Sequence, residues 1–240
     1  MSLNDKFTNL ATAIRNGYAK INQKLSLDDM YMILASGQIG TKPGVNLLNG
    51  SDPQANAITQ DGQVDEYRLT VASSGNGKGS LIDLDPAKFT AKHGFRITDN
   101  TSGSRDFNQR PVFYDGSKYT FSVWSRLTPG TTATKGYCYI RSWSTKQSRE
   151  LTPHLVFDPT SEWQKFTLTF DTAAWYQDET ASFAFGVNGA MSADFAEPML
   201  EVGETAHAWQ LSPFDKLGGV INPALTALRR RLRGGVAYAA

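Results

Sequence analysis

Cysteine is nearly absent. The 240 residues include one, Cys138, which excludes an internal disulfide and any cysteine-based metal knuckle. Histidine is scarce, with His93, His154 and His207 scattered along the chain. No apolar run approaches the ~20 residues that a helix needs to cross a bilayer. The opening MSLNDKFTNL is polar and lacks the apolar core of a secretory leader, so neither export by a signal peptide nor membrane insertion is expected. Charge is sparse too, at 20% of residues with a formal net charge of +1. That near-neutrality conceals segregation. Residues 1–42 carry a net +2, residues 43–215 a net −6 and residues 216–240 a net +5. Three segments with different roles follow: a helical anchor and linker over 1–44, a central module over 45–215 and a basic tail over 216–240.

Aromatics are plentiful, with five Trp, nine Tyr and thirteen Phe. In the first segment, Leu3, Phe7, Leu10, Ile14, Tyr18, Ile21 and Leu25 recur at intervals of three and four. That spacing lays one apolar stripe along a helix and forms a short heptad seam. The segment is too short to enclose a core, so the stripe is expected to be covered either by the main module or by other copies of the chain in a trimer. The last segment pairs Ala224, Leu225, Leu228 and Leu232 with Arg229, Arg230, Arg231 and Arg233, the pattern of a short basic amphipathic helix. No aromatic lies among the arginines, which argues against nucleic acid and leaves a protein partner or a solvated terminus.

The central module reads as β throughout. Alternating runs at 67–72, 95–98, 119–127, 137–143, 151–157, 163–170, 181–187 and 195–202 are separated by SSGNGKGS, DNTSGS, YDGS, TPGTT, DPTSE and VNGA. Many short strands between Gly, Pro, Asn, Asp and Ser loops specify an antiparallel sandwich or barrel. Period-two parity then sorts the side chains. Phe121, Val123, Ile140, Phe166, Leu168, Phe183 and Phe185 share the core parity. The opposite parity holds Trp124 and Arg126 on one run and Tyr137, Tyr139, Arg141 and Trp143 on another, with small Ser182, Ala184 and Gly186 on a third. Indole and phenol rings beside guanidinium groups suit a sugar, whose C–H face packs on a ring while N–H and O–H groups meet its hydroxyls. The other reading is that the chain's own loops cover this face.

Four stretches carry a resemblance: NLLNGSD at 46–52, YTFSVWSRL at 119–127, SEWQKFTLTF at 161–170 and DFAEPMLEVGETAHAW at 194–209. In order and spacing they resemble carbohydrate-binding-module jelly rolls of the family 4/9 type. They look most like the versions appended to tail, baseplate and fibre proteins of phages that infect Gram-positive bacteria. The resemblance implies a jelly-roll β-sandwich that binds glycans without catalysis and often carries a structural Ca²⁺. Asp52 near the first strand, with Asp194 and Glu197 near the last, are the oxygen ligands that could clamp such an ion; ordinary solvated acids are the alternative. No nucleophile elbow, phosphate loop or recognisable glycosidase carboxylate pair is present, so no enzyme activity is expected. The expectation is a virion structural protein, made in the host cytoplasm, that meets a host-surface glycan and other virion proteins. The alternative is a decoration, neck or fibre protein whose sandwich makes only protein contacts.

Overall fold

A computed structural model describes residues 44–48, 50–52, 70–72, 75–109, 118–131, 135–144, 149–151, 154–172 and 181–212. The helices expected near the two termini lie outside these residues. The described residues form ten strands: β1 (Thr70–Ala72), β2 (Lys78–Asp83), β3 (His93–Asn100), β4 (Ser104–Gln109), β5 (Lys118–Leu127), β6 (Lys135–Ser144), β7 (Arg149–Glu150), β8 (Leu155–Phe157), β9 (Gln164–Asp171) and β10 (Ala181–Val202).

All pairings are antiparallel, and they build two sheets that share β10. Residues 181–190 of β10 lie between β4 and β6, with β1 beyond β4 and both β7 and β8 beyond β6. This is the first sheet. Residues 191–202 of β10 pair with β3 and β5, with β2 beyond β3 and β9 beyond β5. This is the second sheet. The fold is therefore a mainly-β jelly-roll sandwich.

The sequence VNGA at 187–190 reads as a loop, yet the strand runs straight through it. Gly189 explains why. Its φ is +84°, a left-handed conformation that costs glycine little, and an added Cβ would sit 2.6 Å from the Lys135 carbonyl oxygen. At this position β10 leaves one sheet and enters the other. The β3–β4 connection changes sheets at the same end. Asn100, almost wholly buried, ties that corner: its amide donates to the carbonyls of Gly103 and Gly189 and accepts from the Gly77 N–H. Strands β2 and β4 also escape the sequence reading. β4 contributes one large core side chain, Phe107, among polar neighbours, so its alternation carries little apolar signal.

The inner faces meet in an aromatic core. Phe95 of the second sheet lies 4.8 Å from Phe107 of the first, centroid to centroid. Phe121 meets Phe183 at 4.7 Å and Phe185 at 5.6 Å. Fully burying one such ring contributes about 1.5–3 kcal/mol, and tilted or edge contacts add to it. Six of the seven residues expected in the core are buried. The seventh, Phe166, is partly buried and stacks on Phe157 at 3.8 Å.

Candidate functional site

The six aromatic and arginine residues expected to form one glycan platform do not lie on one surface. Trp124 and Arg126 belong to β5 in the second sheet; Tyr137, Tyr139, Arg141 and Trp143 belong to β6 in the first. All six have outward parity, and the outer faces of a sandwich point in opposite directions. The expectation of a ligand lying across both strands is corrected accordingly. Parity tells whether a side chain is inside or outside, but not which sheet it is outside of.

The first sheet's outer face keeps four of the six. In register, Trp143, Arg141, Tyr139 and Tyr137 oppose Ser182, Ala184, Gly186 and Asn188 of β10. The aromatic row and the small-residue row are thus neighbours, as their strand parity suggested. The space at Gly186 is already filled, however. A Cβ there would come within 2.2 Å of the Arg105 carbonyl oxygen and 2.7 Å of Asp106 Cβ. The glycine allows β4 to approach, and with it Asp106.

Asp106 is the residue that sequence reasoning missed. It is 3% exposed on this face. The Tyr139 hydroxyl donates to its Oδ2 at 2.5 Å, the Asn108 amide to its Oδ1 at 2.9 Å and Arg141 Nη2 to its Oδ2 at 3.4 Å. Burial pushes its carboxyl above the ordinary carboxylate range, and these three donors oppose but do not cancel that push. The Tyr139 phenol is itself almost fully buried, and burial first and the Asp106 charge second hold its pKa well above the usual value. Arg141 joins the parts. Its guanidinium lies 5.0 Å from the Tyr139 ring centroid, 5.6 Å from that of Trp143 and 3.8 Å from Glu150 Oε1. His154 packs edge-on to Tyr139 at 5.3 Å, and its Nδ1 is 3.3 Å from Glu150. Tyr139 is therefore a support. Tyr137, Arg141 and Trp143 are the partly exposed groups, with His154 and Glu150 at their border.

The second sheet's outer face is different. The segment 84–92 folds over it and forms a satellite core of Leu84, Phe89, Ala91 and Ala196, against which Ile82, Trp124, Trp163 and Trp209 pack. Phe89 meets Trp163 edge-on at 5.0 Å and Trp124 at 6.1 Å. Trp124 thus packs with the chain's own loop. Beside it, the Asp194 carboxylate is completely buried. It accepts from Arg96 Nε at 2.6 Å and Nη2 at 2.9 Å, from Arg126 Nε at 3.1 Å and from the Thr128 hydroxyl at 2.9 Å.

The carboxylates expected to hold Ca²⁺ are committed elsewhere. Asp52 Oδ1 accepts the Lys92 and His93 N–H groups. Glu197 Oε1 accepts those of Thr90 and Ala91. Glu197 has φ +50° where the β10 register shifts, a bulge that turns its side chain toward the loop. Asp194 faces two cations. Among the described residues no three His, Cys, Asp or Glu side chains gather so as to hold a metal ion. Ca²⁺ takes six to eight oxygen ligands, and this donor set does not fit it. The acids of the 194–209 stretch are fasteners instead. Glu201, wholly buried, completes the pattern by accepting from the Gly44 and His207 N–H groups, both at 2.8 Å.

No protein-family model matches the chain, and no curated protein matches it. Among solved structures it is similar to a CBM4 structure, at 16% identity and TM-score 0.46, covering 65% of this chain and 99% of that one. It is similar to the Stig cyclase Fisc from Fischerella sp. TAU, at 12% identity and TM-score 0.47, covering 68% and 99%. It is also similar to the enzymatically active domain of bacteriophage CBA120 tailspike protein 4, at 11% identity and TM-score 0.45, covering 68% of this chain. The match spans 22% of the tailspike chain's own length.

Proposed function

We propose that the chain is a non-catalytic glycan-binding protein of a phage virion, and that the first sheet's outer face is its sugar platform. The observation that carries the reading is the register of β6 against β10, which sets Tyr137, Arg141 and Trp143 beside a row of small residues. A partly exposed indole with a guanidinium next to it offers a ring for the apolar face of a sugar and donors for its hydroxyls. Tyr139 and Asp106 hold the guanidinium in place from below. The resemblance of 46–52, 119–127, 161–170 and 194–209 to phage-borne modules supports the virion setting, in a tail, baseplate or fibre. Residues 1–44 then assemble the component as a trimer and join it to other virion proteins. One observation favours the reading in which the sandwich makes protein contacts only: Arg141 is already engaged by Asp106 and Glu150.

The test is a glycan-array and cell-wall pull-down with the full chain. Trp143→Ala is expected to weaken capture about tenfold, equivalent to about 1.4 kcal/mol, with little change in Tm because the ring is partly exposed. Retention of full binding by Trp143→Ala and Tyr137→Ala together, or capture of no glycan by the native chain, would sink the platform.

A further inference from the structure

The second sheet's outer face carries a cationic row that the sugar platform does not use. Ser80 of β2 is in register with Arg96 of β3, Arg96 with Asp194 of β10, and Asp194 with Arg126 of β5. The row ends at Trp163, immediately before β9, whose ring lies 4.6 Å under the Arg126 guanidinium. Asp194 is fully covered, while both arginine side chains are 27% exposed. The negative charge is thus beneath and the positive charge outside. One carboxylate offsets one guanidinium, so one positive charge on this strip has no counter-charge in the row.

The donor count points the same way. A guanidinium has five N–H groups. Arg126 spends the one on Nε, so the four on its terminal nitrogens have no acceptor among the described residues. Arg96 spends one on Nε and one on Nη2. Asp194 and the Trp163 ring fix the plane of Arg126, so a fork of donors is held in place before any ligand arrives. Such a fork matches the oxygens of a phosphate or carboxylate, and the partly exposed indole of Trp163 borders it, next to whatever carries that group.

We propose that Arg96, Arg126 and Trp163 form a second binding site, separate from the sugar platform, for a saccharide bearing a phosphate or carboxylate. The oxyanion meets the free N–H groups of the two arginines, and the carbohydrate part lies against Trp163. The exposed Ser80 hydroxyl stands at the far end of the row as a further donor. The two sites lie on opposite faces of the sandwich, so one module can engage two segments of a polyanionic glycan, or two glycans.

The experiment titrates the full chain with glucose 6-phosphate, glucuronic acid, inorganic phosphate and glucose, and follows the arginine Nε–H and tryptophan Nε1–H resonances. Glucose 6-phosphate and glucuronic acid are expected to shift the signals of Arg126 and Trp163, assigned by Arg126→Lys and Trp163→Phe. The dissociation constant should rise severalfold between low salt and 0.3 M NaCl, because an exposed ion pair is screened. Inorganic phosphate should shift Arg126 and leave Trp163 nearly still, and glucose should shift neither. Arg126→Gln should abolish the response while Lys135→Gln, at an exposed position of the first sheet, preserves it. Arg126→Gln leaves Asp194 with Arg96 and Thr128, and Trp163→Phe is a second variant that spares Asp194 entirely. The proposal is overturned if no anionic probe moves Arg126, or if Arg126→Gln binds as the native chain does. Either result leaves the sugar platform standing, since that site is read through Trp143.

Discussion

Among the described residues the two outer faces of the sandwich bury one aspartate each, and they surround it with different partners. On the first sheet, Asp106 is surrounded by a phenol, an amide and one distant guanidinium, and burial pushes it toward its neutral form. On the second, Asp194 is gripped by two guanidinium groups and a hydroxyl. The same side chain therefore supports an aromatic, near-neutral surface in one case and a cationic one in the other. The contrast shows that a buried acid on a sheet's outer face does not itself mark a ligand site. Its partners decide what the surface above it can bind.

The largest expected effect comes from removing Asp194. Asp194→Ala leaves Arg96 and Arg126 side by side with no shared counter-ion. Breaking a buried pair costs 3–5 kcal/mol; because both arginines are partly exposed and can turn toward water, roughly 3 kcal/mol is expected. Urea denaturation with the m-value held constant measures it. A loss below about 1 kcal/mol would place the pair among ordinary surface ion pairs and remove the distinction between the faces.

A smaller effect is expected on the first face. Tyr139→Phe removes the hydroxyl that donates to Asp106 and keeps the ring against His154 and Arg141. Leaving a buried acceptor without that partner costs about 1–3 kcal/mol. The substitution should also loosen Arg141 and weaken glycan capture indirectly, with less effect than Trp143→Ala. A Tyr139→Phe chain that loses all capture while keeping its Tm would make the hydroxyl a direct sugar contact and overturn its role as a support.

Strand periodicity made the core legible in the sequence. The runs around Phe121, Ile140, Leu168 and Phe185 alternate cleanly, and their parity predicts burial. It also made the outward rows legible, including the neighbouring small residues of β10. What it could not supply was the assignment of strands to sheets. β5 and β6 are consecutive and alike in pattern, yet one pairs with β9 and the other with β7 and β8. Only long-range hydrogen bonding decides that, and it separates Trp124 from Trp143. The long β10 was hidden for a related reason. A glycine between two apolar runs has the composition of a turn, and here it is the point where one strand passes between sheets. Asp106 was hidden because β4 offers a single aromatic among polar residues. Asp194 and Glu197 were visible but read as calcium ligands, since oxygen atoms suited to Ca²⁺ are equally suited to guanidinium groups and to the backbone N–H groups of a neighbouring loop.

The subtlest prediction concerns the response of the first face's aspartate, Asp106, to pH. Burial holds the Asp106 carboxyl above its ordinary value of 3.8 in the folded protein. The unfolded chain releases that proton near the ordinary value. Between the two, the native state binds more protons than the unfolded state, so unfolding free energy falls as pH rises. The stabilising share is complete below about pH 3.8 and is lost as pH climbs through the folded-state value. Asp106→Asn keeps the shape and an oxygen to accept from Tyr139, and it cannot ionise. The variant should therefore lack this downward slope. Measured by denaturant unfolding at intervals from about pH 4 to about pH 8, the native chain should lose stability relative to Asp106→Asn, with the difference levelling once the carboxyl is ionised in both states. A difference that grows in the native chain's favour as pH rises would mean that Arg141 and Tyr139 outweigh burial, and Asp106 would then be held by its partners as an ionised carboxylate.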